Sequence, residues 1–240
     1  MTSVTGADMP KGPLPRVGGI SAALASVAVL VAACSGSPDV VVAEGSDRYP
    51  NLSATDWVTY ADHVVVATVV TEREIPLSAE EEAAGEGSMD RHVTLSIDEV
   101  SWTSADPRHP APAAEIDFPA WGWAVQDGEK IPMAGDDTPR LEIGHTYVLA
   151  LVWEPAIDDP TTPIPARWVT LGADSVLPYE GGIGVGELEG ARRSQPVSVS
   201  ANDPNFSLED ELAGESVSAL VGVLDAAEPG TRENYGPTTE

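Results

Sequence analysis

This 240-residue chain is poor in cysteine and basic side chains, and each shortage excludes something. One cysteine, Cys34, allows no intramolecular disulfide, so the fold must stand on its core alone. There are 12 Lys+Arg against 39 Asp+Glu, a formal net charge of −27. Proteins that hold nucleic acid neutralise phosphates with Lys and Arg, so a nucleic-acid partner is excluded, as is capture by anionic lipid head groups. The apolar run Ile20–Ala33 is fourteen residues long. At the helical rise it covers ~20 Å, short of the ~30 Å hydrocarbon core, so a permanent transmembrane helix is not expected.

Motifs for common chemistry are missing too. There is no GxSxG elbow and no GxxxxGK[ST] loop. Gly182, Gly184 and Gly186 are spaced GxGxG, with Glu187 where a dinucleotide loop needs its third glycine, and read as a tight hairpin. His63, His92, His109 and His145 are scattered singly, none at the i, i+4 spacing that holds zinc on a helix. His63 and His145 each begin a strong strand, which leaves open that they meet in space. Asp203, Asn205, Ser207 and Glu209 alternate as in calcium loops, but Leu208 replaces the required glycine and Gly214 the final glutamate. A loop with a helix cap is the simpler reading, and neither a metal nor a cofactor is expected.

What is present begins with the leader. Lys11 and Arg16 precede the apolar run, and small residues, Ala32 and Ala33, lead into Cys34-Ser35-Gly36. This resembles the lipobox of bacterial lipoproteins. The resemblance implies that the thiol of Cys34 receives a diacylglycerol and that residues 1–33 are a signal peptide cut just before it. It further implies that the mature protein is anchored by lipid to the outer face of the cell membrane. Val31 stands where leucine is commonest, with Leu30 one position earlier. The alternatives are an ordinary signal peptide cut near Ala33, or a buried cysteine without a special role. Removing Lys11, Arg16 and Asp8 with the leader leaves 10 basic against 38 acidic residues, near −28.

Residues 34–50 read as a lipidated tether whose Val40-Val41-Val42 could still add an edge strand, 51–228 as one β-rich domain with a C-terminal helix, and 229–240 as a frayed tail. Ser53 with Asp56 forms a capping-box pattern. HVVVATVVTERE, residues 63–74, is a β-branched run too short for a bundle helix, hence a well-buried strand. Residues 76–91 lack apolar periodicity and read as a loop or short helical excursion. In HVTLSIDEVSW, Val93, Leu95 and Ile97 alternate with Thr94, Ser96 and Asp98, giving a strand with one wet face. Four prolines within the thirteen residues from Pro107 to Pro119 bar a helix there, and the chain becomes extended around Glu115 to Trp123. Residues 126–140 read as a polar loop.

LEIGHTYVLALVWE predicts a turn at Gly144 and then a strand, RWVTLGA another short strand, and QPVSVSA one more. Ser207 predicts a single terminal helix in which Leu208, Leu212, Ala219, Leu220, Val223 and Leu224 recur near helical spacing. The expected class is mainly β, a small antiparallel barrel or sandwich with a C-terminal helix. ADHVVVATVV, VTLSIDEVSW and LEIGHTYVLAL also resemble, in order, exported barrels of the netrin-like or tissue-inhibitor-of-metalloproteinase-like type. That resemblance implies a closed barrel of the oligonucleotide- and oligosaccharide-binding kind.

Six tryptophans against two phenylalanines make the aromatics informative. Phe118, Trp121 and Trp123 fall within six residues, and an extended segment would put both indoles on one face. With Tyr179 from the glycine-rich hairpin, they are the candidate binding residues for an envelope protein or a glycan. The competing use of the same aromatics is to plug one end of the barrel. A carboxylate-based envelope hydrolase is a second functional reading and requires at least two acids in one concave pocket. A structural lipoprotein without a specific ligand is the third.

Overall fold

The computed structural model describes residues 40–43, 47–135, 138–158, 163–184 and 206–233. Cys34, the apolar leader, Asp203, Asn205, Gly186 and QPVSVSA lie outside them. The protein is mainly β, with a mixed eight-stranded sheet and a helical C-terminal segment. The strands are β1 Val41–Ala43, β2 His63–Ile75, β3 Gly87–Thr103, β4 Glu115–Gln126, β5 Glu129–Gly135, β6 Thr146–Glu154, β7 Arg167–Thr170 and β8 Val176–Pro178. They pair in the order β1-β5-β4-β3-β2-β6-β7, with β8 continuing along β6 beyond β7. All pairs are antiparallel except β1 with β5.

Helix α1 is Ala54–Tyr60, α2 Ala79–Ala84, α3 Leu208–Leu212 and α4 Val217–Ala226. The capping box expected at Ser53 is formed: its Oγ accepts from Asp56 N at 3.2 Å, and the Asp56 carboxylate accepts from Ser53 N at 2.9 Å.

The buried β-branched run is explained by two cores, one on each face of the central strands. Val64 and Val66 of β2, with Val148, Ala150 and Val152 of β6, pack under α1, α3 and α4. Val65, Ala67 and Val69, with Tyr147, Leu149 and Leu151, face Val93, Leu95, Phe118 and Trp168 instead. A strand covered on both faces has no wet side, which is why its sequence does not alternate. β3 has one covered face, and its Val93 and Leu95 are buried as the alternation predicts.

Three expectations need correction. Residues 126–140 are not all loop: Asp127 (φ 52°) and Gly128 (φ 80°) make a two-residue turn, and β5 follows it. Asp-Gly is a strong hairpin signal because both positions need positive φ. The terminal helix is two helices, since Gly214 takes φ 84° and Ser216 recaps the chain through Ala219 N. Residues 230–233 are tied to α1, where Gly230 N donates to Thr59 Oγ1 at 2.7 Å and Arg232 Nε to Thr59 O at 2.8 Å. Because an alanine at 214 would be held in a left-handed conformation, Gly214→Ala should cost about 1 kcal/mol and lower Tm by about 2–4 °C in a thermal melt.

Candidate functional site

The site grows from a split in the sheet. β4 pairs with β5 only from Trp123 to Gln126, so Glu115–Gly122 has β3 on one side and no strand on the other among the described residues. β7 is paired with β6 alone. β4 and β7 approach each other without pairing. A cavity of about 470 Å³ lies in this seam. Its buried end is lined by Phe118, Leu141 and Val176, and its open end by Trp121, Asp90 and Arg167.

Two devices hold the seam apart. The first is a bulge: Met89 stands opposite Trp123 and Arg91 opposite Ala120, so two steps on β3 match three on β4. Gly122 is required in it, because a Cβ there would fall 1.8 Å from Met89 O. The second is Arg140, 4 % exposed, whose Nη1 lies 2.7 Å from Trp121 O, 2.6 Å from Gly122 O and 2.6 Å from Met133 O. These carbonyls sit where β4 and β5 part, and the guanidinium supplies the donors that the ladder no longer provides. Burial lowers the pKa of Arg140, and the Arg91 charge adds to that, while Glu142, 2.8 Å from its Nε, opposes it.

The bulge separates the two indoles that regular alternation would put side by side. Trp121 is 40 % exposed at the cavity rim. Trp123 is half-buried elsewhere, its ring centroid 5.1 Å from the Arg140 guanidinium, 5.6 Å from that of Arg91 and 5.6 Å from Lys130 Nζ. Phe118 is buried in the core and still reaches the cavity. Tyr179 packs against the helix-covered core on the other face of the sheet, and its N donates to Thr146 O at 2.8 Å. The four candidate residues therefore do not form one surface. Arg91, Arg140 and Arg167 were not singled out in the sequence, where an isolated arginine carries no signal of its depth.

Tyr147 closes the inner end of this network: its hydroxyl donates to Arg140 O at 2.9 Å and accepts from Glu142 N at 2.9 Å. Burial pushes its pKa up to about 12. The folded state thus keeps a proton that the unfolded chain releases near pH 10, so this contribution is complete below about pH 10 and is lost as pH rises through 12. Denaturant titrations from pH 9 to 12 should show a stability loss of about 2–3 kcal/mol from this group, and Tyr147→Phe should flatten that slope.

His63 and His145 do not meet. Antiparallel pairing of β2 with β6 sets His63 opposite Leu151 and Thr68 opposite Thr146, so the two strand starts lie at opposite ends of the ladder. His63 is buried and donates from Nε2 to His109 O at 3.0 Å, and its Nδ1 is 3.1 Å from Thr103 Oγ1. The His109 ring stacks on Trp153 with centroids 3.9 Å apart. These contacts anchor the proline-rich loop. Among the described residues, no group of three His, Cys, Asp or Glu side chains could hold a metal ion, and no helix is long and apolar enough to cross a membrane.

Asp90 is the one carboxylate lining the seam cavity among the described residues. A second cavity, between α1, α4 and the end of β3, carries the exposed Asp106 and Asp225. The chain matches no protein-family model, no curated protein and no solved structure.

Proposed function

We propose that this chain is a lipid-anchored binding module of the bacterial cell envelope, with the seam cavity as its ligand site. The observation that carries the binding part is the cavity itself. Its volume and apolar floor, its few polar side chains and its exposed indole have the composition of a small-molecule site. The lipobox-like residues before Cys34 support the anchoring part.

Two measurements test the two parts separately. The full chain grown with an alkyne fatty acid should be labelled and found in the membrane fraction, and Cys34→Ser should lose both properties; labelling that survives the substitution overturns the anchor. Titrating indole into the full chain should move the Trp121 Nε1 resonance, identified with Trp121→Phe. Trp121→Ala should weaken indole binding about tenfold, since a stacked aromatic contributes ~1 kcal/mol or more. No shift at Trp121 overturns the cavity as a site.

A further inference from the structure

Resting on the reading of the seam as a ligand site, we infer that the cavity takes a short, apolar, zwitterionic peptide, with its amino group at Asp90 and its carboxylate at Arg167. The two poles line the same cavity from different strands, Asp90 on β3 and Arg167 on β7, together with the apolar Phe118, Leu141 and Val176.

Arg167 has an unmet donor. Its guanidinium Nη2 is 3.6 Å from Glu154 Oε2, but Nε is shut off from solvent and has no acceptor. A buried N–H without an acceptor is costly, and the Arg167 side chain, 38 % exposed as a whole, can turn its guanidinium toward a ligand carboxylate that supplies one with charge assistance. Asp90 is exposed at the cavity, and its carboxylate pairs with no described residue. Trp121 stands beside it, a ring that favours an ammonium group over its face.

Charge and edge chemistry narrow the class. A purely anionic ligand would be opposed by the field of a chain at −27. A purely cationic one would leave Arg167 Nε without its acceptor. A long peptide adding as a strand is disfavoured at β4, because Pro119 stays in register opposite His92 and so must turn its nitrogen, which carries no hydrogen, toward the seam. That blunted edge leaves recognition of the two ends of a short ligand, with apolar side chains on the floor. The cavity has room for more than a single amino acid side chain.

The test uses the full chain and three ligands with one body: leucyl-phenylalanine, its N-acetyl derivative and its C-terminal amide, each titrated while the Trp121 indole resonance is followed. The expected result is that each charge deletion weakens binding about tenfold. Asp90→Asn should abolish the difference between the free and N-acetylated peptides, and Arg167→Gln the difference between the free acid and the amide. Equal binding of all three overturns the zwitterion assignment. Indole binding with no dipeptide binding overturns this inference and leaves the cavity as a site, whereas binding of neither overturns both.

Discussion

Arg140→Ala is expected to lower folding stability by about 3–5 kcal/mol, the range for removing one partner from a buried charged network. The guanidinium reaches three main-chain carbonyls from two different strands, Trp121 O and Gly122 O on β4 and Met133 O on β5. Each buried acceptor left without a donor costs about 1–3 kcal/mol, and at 4 % exposure water does not readily replace the arginine. The expected observation is a lower denaturant midpoint with an unchanged slope. Faster amide exchange in Trp121–Met133 would locate the damage at the split between the strands. Arg140→Lys keeps a charge and three donors on a shorter reach and should lose less. If Arg140→Ala unfolds at the wild-type midpoint, Arg140 is not what holds β4 and β5 at their point of divergence.

Asp62→Ala is expected to cost a similar 3–5 kcal/mol for a different reason. Asp62 is fully buried, and its two carboxylate oxygens accept from main-chain donors of two separate segments: Arg108 N at 2.7 Å and Trp153 N at 2.7 Å. Its own carbonyl accepts from Ser104 N at 2.9 Å, and Arg108 Nη1 stands 3.7 Å from the carboxylate. One side chain therefore joins β2, β6 and the proline-rich loop. Alanine leaves two buried N–H groups without acceptors, whereas asparagine retains one accepting oxygen and should lose about half as much. Trypsin supplies an independent check, because the loop contains Arg108: cleavage there should be slow in the parent chain and fast in Asp62→Ala. Equal cleavage rates would mean that the loop is held by the His63, His109 and Trp153 contacts alone.

Both residues show where reading the sequence stops. In sequence Asp62 is one of 39 acids, and Arg140 follows a polar stretch that reads as loop. Their importance comes from the main-chain groups that the fold brings to them. By contrast, HVVVATVV, VTLSIDEVSW and TYVLALVW announce their strands, because β-branched runs and alternation are local consequences of covering two faces or one. The Asp127-Gly128 turn carries a local signal, since positive φ at both positions has few sequence solutions, but it reads as part of a polar loop because the polar residues around it conceal β5. Of the six residues at helical spacing, Leu208, Leu212, Leu220 and Leu224 are buried and Ala219 and Val223 are half-buried against the same core. Gly214 divides them between two helices because its Cβ-free backbone admits the turn that Gly214 N fastens to Ile183 O.

The candidate site divides along the same line. Its aromatic segment was visible as Phe118, Trp121 and Trp123, but the sharing of one face was not upheld, because the bulge that offsets them exists only in the pairing with β3, where two residue steps match three on β4. Tyr179, grouped with them as a hairpin aromatic, belongs to the helix-covered core. By itself the sequence determined the mainly β class, the terminal helical segment, the caps at Ser53 and Ser207 and the acidic charge, all of which depend on neighbours within a few residues or on composition. Only the tertiary structure decided that β4 and β7 approach without pairing, that Asp90 and Arg167 line the same cavity, and that Arg140 satisfies the carbonyls exposed there. Those outcomes depend on which strand edges are left over once every other edge is paired, a property of the whole sheet that no single segment encodes.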